Sequence, residues 1–183
     1  MTEKPKHSWS IKTPADLLEK AQRDLERFRN SHDVGSNDQV DHAFNCAVTT
    51  WHVGDWIWQA YQNECRRRGW SNIGDFRKWF FDKQYGECLK YCSDLANGSK
   101  HMTLNKNRSN IETHTSQNGI PEWWWEQVAA SSKTGSFCMS ITEQRDVLFV
   151  VDADGKRMRV SQILELSIEI WEGVIAEFEA HAS

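Results

Sequence analysis

The sequence predicts a mainly α chain of the α+β class, a helical bundle followed by a C-terminal β-hairpin or small antiparallel sheet and a final helix. Three observations carry this. Apolar residues recur at helical spacings of three and four over most of the first hundred residues and again at the end. A valine-rich run, Val147 to Val151, leads into the turn sequence Asp152-Ala153-Asp154-Gly155. Ten Trp concentrate the apolar volume in a few large side chains, each able to bury roughly 150–250 Å².

The first helix opens at Thr13-Pro14-Ala15-Asp16. Thr13 caps it, Pro14 suits the first helical position, and Asp16 completes a capping box. Leu17, Ala21, Leu25 and Phe28 line its inner face to about Asn30, and the polar stretch around Gly35 is a loop ending in a cap near Asn37 or Asp38. A second helix is expected from Asp38 to about Arg67, with Val40, Phe44, Ala47, Trp51 and Trp58 on one face. Val53, Trp56, Ile57 and Tyr61 cover much of the remainder, which makes this the central helix. It closes at Arg66-Arg67-Arg68-Gly69, whose cations suit a helix C-terminus. Asn72 and Asp75 open a third helix that turns Phe76, Trp79 and Phe80 inward and ends at Tyr85-Gly86. A fourth begins near Glu87 and carries Cys88, Leu89, Cys92 and Leu95, either stopping at Gly98 or running through it.

Residues 105 to 119 are too polar for core and are expected to form an exposed loop; Trp123-Trp124-Trp125 follow, and three adjacent rings cannot all face one way. Phe137, Met139 and Ile141 alternate as a strand would, ahead of the hairpin that runs on to Met158 and Val160. Ser161 caps the last helix, striped by Ile163, Leu166, Ile170, Val174 and Phe178. The expected organisation is one domain over residues 1–183: a bundle at 13–104, a variable loop with the Trp cluster at 105–135, and the hairpin with its helix at 136–183.

Composition narrows the function classes. The net charge is -4 at pH 7, which argues against a surface basic throughout, although a local patch would be hidden in that total. The start, MTEKPKHSWSIK, has no apolar signal region, and no run approaches the roughly 18 apolar residues of a membrane span. A cytoplasmic chain with no membrane partner is expected. The five Cys form no CxxC pair, so reduced thiols are expected, with Cys88 and Cys92 on one buried helix face.

One constellation could carry chemistry. Asn45, His52, Asp55 and Gln59 share a face of the central helix as a polar stripe, and such a stripe in a buried helix needs partners. In the bland reading His52 and Asp55 pair with each other or with backbone and fix the register of the bundle. In the functional reading, a fourth helix continuing past Gly98 places Asp94, Asn97 and His101 on one face beside Lys100, opposite the stripe. His101 is then the best general acid or base. His52, Asp55 and His101 could also be written as metal ligands, but no HExxH, paired CxxC or EF-hand loop supports a metal, and no cofactor motif occurs. Non-enzymatic docking of a protein partner, with the Trp123 to Trp125 region as the contact, is the alternative to catalysis, and a small metal-binding bundle is the second.

The stretches Phe44 to His52 with Asp55-Trp56, and Asp94-Leu95-Ala96-Asn97-Gly98-Ser99-Lys100-His101, resemble a group of bacterial helical proteins of unassigned activity. More distantly, the helical part is similar to the HEPN superfamily. That resemblance implies a helical bundle that pairs as a homodimer and acts on RNA as a metal-independent ribonuclease of toxin and phage-defence systems. Its motif places an Arg, a polar residue and a His in succession. Asp94 and His101 match the last two, and Ser93 stands at the position of the Arg. Arg108 and His114 repeat the spacing within the stretch read as loop.

Overall fold

The computed structural model describes residues 10–31, 36–98, 111–115 and 148–182. These form α1 (Pro14–Asn30), α2 (Asn37–Ala60), α3 (Gln62–Arg67), α4 (Ile73–Phe81), α5 (Gly86–Gly98), β1 (Ile111–Thr115), β2 (Leu148–Asp152), β3 (Arg157–Arg159) and α6 (Val160–Ala182). The chain is mostly helical with a small three-stranded antiparallel sheet and a final helix, as its periodicity predicts.

Local signals set the helix starts. Thr13 caps α1, the Thr13 hydroxyl accepting from the Asp16 amide while the Asp16 carboxylate accepts from the Thr13 amide. Asn72 and Asp75 build the same reciprocal cap on α4. The cap of α2 is Ser36, one residue before the positions favoured by the sequence, and its side chain accepts from the Gln39 amide. The expected single helix to Arg67 is two, because Tyr61 leaves helical geometry at φ -116 and ψ 34. α6 begins at Val160, one residue before Ser161, the cap position expected from the sequence.

α1, α2, α5 and α6 form an antiparallel four-helix arrangement. Gln22 meets Glu172 while Arg29 meets Glu165, so α1 and α6 run in opposite directions. Trp171 lies against Thr50 and Gly54, and Phe178 against Tyr61, so α6 runs parallel to α2. Cys92 meets Ser167, and Leu95 shares a pocket with Val160, so α5 opposes α6. The bundle therefore extends beyond the expected 13–104 and takes α6 as a full member. α3 and α4 close one end, where Phe76, Trp70, Trp79 and Phe178 form an aromatic cluster with Arg68 over Phe178 at 4.5 Å.

The core face of α2 differs from the expected one. Its fully buried positions are Cys46, Ala47, Thr50, Val53 and Ile57, with Ala43 and Gly54 also inside; of the expected face Ala47 and Trp51 are buried, whereas Val40 is 40% exposed and Phe44 and Trp58 are only partly buried. The inward face is rotated by roughly a quarter turn from the one marked by the large residues. Small side chains on α2 let α1, α5 and α6 approach, and the volume comes from their rings, chiefly Phe28 and Trp171, and from Phe80 on α4.

Polar contacts tie the helices together. The buried Asp24 on α1 accepts from Lys20 (2.5 Å), Arg27 (2.9 Å) and Thr49 of α2 (3.3 Å), so the carboxylate is fully partnered. The sheet has the order β1-β2-β3. Asp152 at the end of β2 accepts from the Tyr91 hydroxyl of α5 at 2.8 Å and from the amides of Asp154 and Lys156, and Gly155 supplies φ +77 for the turn. The third strand comes from residues 111–115, within the stretch expected to be loop, paired to β2 from Ile111↔Asp152 to Thr115↔Leu148. A polar edge strand carries little apolar alternation, so its pairing partner rather than its own pattern makes it a strand. Phe137, Met139 and Ile141, and Trp123 to Trp125, lie outside the described residues.

Two glycines should respond in opposite directions to alanine. A Cβ on Gly54 would lie 2.9 Å from the Trp171 ring, so Gly54→Ala is expected to lower stability by roughly 1–3 kcal/mol. Gly173, exposed within α6, has open space at the same position, so Gly173→Ala is expected to raise stability by up to about 1 kcal/mol. Urea denaturation of both variants checks the pair, and equal effects of one sign would contradict this packing.

Candidate functional site

The polar stripe of α2 is its solvent face. Asn45 and Gln59 are exposed, and the side chains of His52 and Asp55 are 38% and 35% exposed. All four lie on the side of the helix opposite the true core face, so water meets most of the hydrogen-bonding need that a buried stripe would have placed on other helices.

Within that face His52 and Asp55 do meet. His52 Nδ1 lies 3.4 Å from Asp55 Oδ2, and Arg77 of α4 donates to the other carboxylate oxygen at 2.8 Å. The Arg77 guanidinium also lies over the Trp51 ring at 4.8 Å. The pair is therefore tied to a second helix, and Arg77 is the partner that sequence reasoning missed. It sits in the Phe76 to Phe80 turn, where helical spacing marks it only as outward-facing; its reach to Asp55 follows from how α4 packs across α2. Burial works to raise the Asp55 carboxyl, but hydrogen bonds from His52 and Arg77, together with their charges, outweigh it and hold its pKa below the ordinary value of 3.8.

Asp94 and Asn97 lie on α5, three residues apart, and the helix continues to Gly98. Asn97 Nδ2 donates to Ser93 Oγ at 3.3 Å. Lys100 and His101 lie outside the described residues, as does Arg108, while the backbone of His114 is part of β1. The two polar groups stand at different levels of the bundle. Leu95 shares a pocket with Val40, Ala43 and Phe44, whereas Trp51 stacks on Phe81, over which Lys90 lies at 5.4 Å. α5 thus runs toward the N-terminal end of α2, away from His52, and Phe44 and His52 are separated by about 12 Å of helix. The described part of α5 does not bring Asp94 and Asn97 to His52 and Asp55.

Where α2 and α5 meet the sheet there is a pocket of about 170 Å³, lined by apolar side chains and Thr113. Phe44 and Leu95, one from each of the two sequence motifs, form part of its wall together with Leu148 and Phe149.

The described thiols are poor nucleophiles. Burial pushes Cys46 and Cys92 up to about 12, and Cys65 and Cys88 to about 11. Cys88 and Cys92 share a fully buried face, as their spacing predicts. Among the described residues no group of three or more His, Cys, Asp or Glu side chains is placed to hold a metal ion, and at Asp55 one carboxylate oxygen is already engaged by Arg77. Arg68, within the triple-Arg segment, is paired with Glu64 and Glu177, and Arg67 with Glu64. No described helix is long and apolar enough to cross a membrane.

Comparison with protein-family models, with curated proteins and with solved structures returned no match.

The Asp55 clasp has a defined pH signature. A carboxyl with a depressed folded pKa stabilises the fold above its ordinary value, and that contribution disappears as pH falls through the folded value. At this half-exposed site the effect is small: Asp55→Asn is expected to cost no more than about 1 kcal/mol at pH 7. The difference from the parent protein should begin to shrink as pH nears the ordinary carboxyl value of 3.8 and vanish only once pH has fallen below the depressed folded value. Denaturation across pH 2–7 measures it, and a difference that grows toward low pH would contradict the assignment.

Proposed function

We propose that the chain is an RNA-acting protein of the HEPN-like kind associated with phage-defence or toxin systems, with His101 as its acid–base residue and Asp94, Asn97 and Lys100 beside it. The observation that supports the reading is the course of α5, which stays helical through Asn97 to Gly98 with Asp94 and Asn97 on one face, as the motif requires of its helical part. An antiparallel arrangement of α1, α2, α5 and α6 is in keeping with it. Ser93 leaves this motif without a guanidinium to stabilise charge on a scissile phosphate. RNA binding is therefore measured alongside turnover. The reading carries with it a cytoplasmic location and the pairing of two chains.

The expected result is that purified protein retains and cleaves a mixed single-stranded RNA pool in the presence of a chelator, and that His101→Ala lowers cleavage by roughly 100-fold or more. RNA left unbound and intact by the parent protein would sink the proposal.

A second reading, a protein-interaction module without catalysis, is favoured by the apolar pocket at the sheet end. Its volume suits one aromatic or branched aliphatic side chain. The expected result is binding of an anilinonaphthalene dye that a short Phe-bearing peptide displaces and its Ala counterpart does not. Ala43→Leu should fill the pocket and abolish dye binding; equal binding by that variant would count against the module.

A further inference from the structure

We infer that His52, held by Asp55 and flanked by Arg77, is a second acid–base centre, one suited to phosphodiester transfer in single-stranded RNA. The inference rests on the RNA-acting reading but uses a different part of the molecule.

Placement is the first argument. His52 stands on the face of α2 opposite the core, so the packing of the bundle does not require its ring. Orientation is the second. With Nδ1 turned to the Asp55 carboxylate at 3.4 Å, Nε2 is turned away from it. A neutral imidazole whose Nδ1–H is directed to a carboxylate presents its lone pair at Nε2, the arrangement of an oriented general base. The third argument is Arg77. One of its five donors is engaged by Asp55 at 2.8 Å and the guanidinium carbon lies over the Trp51 ring at 4.8 Å, which holds the guanidinium at the same carboxylate that His52 meets through its other oxygen. A fixed guanidinium is the group that recognises phosphate oxygens in a defined geometry.

The setting selects the substrate class. The described apolar pocket lies at the other end of α2, and the side chains of His52, Asp55 and Arg77 are between 35% and 38% exposed. A surface of this kind meets an extended polymer backbone rather than an enclosed small molecule. RNA carries its own nucleophile, so a base and a cation suffice. His52 Nε2 takes the proton of a ribose 2′-hydroxyl, and the 2′-oxygen forms a bond to the adjacent phosphorus. The bond from phosphorus to the 5′-oxygen breaks, and that oxygen takes a proton from water. The products are a 2′,3′-cyclic phosphate and a free 5′-hydroxyl, and the imidazolium returns its proton to solvent. Arg77 faces the charge that builds on the non-bridging oxygens. DNA, without the 2′-hydroxyl, is not a substrate.

The test is cleavage of an end-labelled single-stranded RNA oligonucleotide by the full chain with chelator present, with products resolved by their termini and the matching DNA as control. His52→Gln is expected to lower the rate by roughly 100-fold or more while the thermal midpoint stays within a few degrees of the parent. Asp55 is a positioning residue: Asp55→Asn is expected to lower kcat with the RNA dissociation constant little changed. Because Arg77→Ala could loosen α4, Arg77→Lys is measured beside it; the ammonium keeps the charge and loses the planar fork, and a reduced rate at retained stability is expected. Cleavage lost in His101→Ala but unchanged in His52→Gln would overturn this inference and leave the reading centred on His101 standing. Cleavage of DNA at the same rate, or products with a 3′-hydroxyl, would also overturn it. RNA untouched by the parent protein overturns both.

Discussion

The rest of the structure depends on the seating of Trp171 in α2. Its ring is fully buried, its indole N–H donates to the Thr50 carbonyl at 2.8 Å, and the edge of the ring fills the space that a side chain at residue 54 would occupy. Removing an indole from water contributes on the order of 5 kcal/mol at most, from about 200 Å² of apolar surface. The hydrogen bond satisfies the one polar atom that burial would otherwise leave unpaired. This contact sets the height of α6 against α2, brings Phe80 edge-on to the same ring at 4.9 Å, and so places α4. Arg77 reaches Asp55 only because α4 is placed there.

Around that contact, the division of labour between large and small side chains explains the bundle. α2 supplies a smooth inner surface of Ala43, Cys46, Ala47, Thr50 and Gly54, and its neighbours supply the rings. Polar clasps then fix the register at separate levels. Asp24 with Lys20 and Thr49 joins α1 to α2, Tyr91 with Asp152 joins α5 to the hairpin, and Arg68 with Glu64 and Glu177 joins α3 to α6. Each charge in these clasps has a partner, so these contacts specify position more than they add stability.

The same geometry separates two candidate centres that look like one in sequence. Asp94 and Asn97 belong to the sheet end of the bundle, and His52, Asp55 and Arg77 to the level of the Trp51 and Phe81 stack. Periodicity shows that His52 and Asp55 share a face, and it shows that Asp94 and Asn97 share one. It does not show that α5 descends away from the first pair, since the direction of a helix is set by its loops and its packing, and Leu95 finds its place only against Phe44 and Val160.

The sequence by itself determined the class of fold, the capping boxes at Thr13 and Asn72, the buried pair Cys88 and Cys92, and the turn at Gly155, because each depends on neighbours within a few residues. Tertiary structure decided which face of α2 is core, that β1 is a strand, and that Asp55 is shared between His52 and Arg77. These depend on the shape of the partners. A large ring on α6 needs a small surface opposite it, a polar strand needs a paired edge, and a guanidinium needs a helix crossing at the right height. None of those conditions is written in the spacing of residues along one segment.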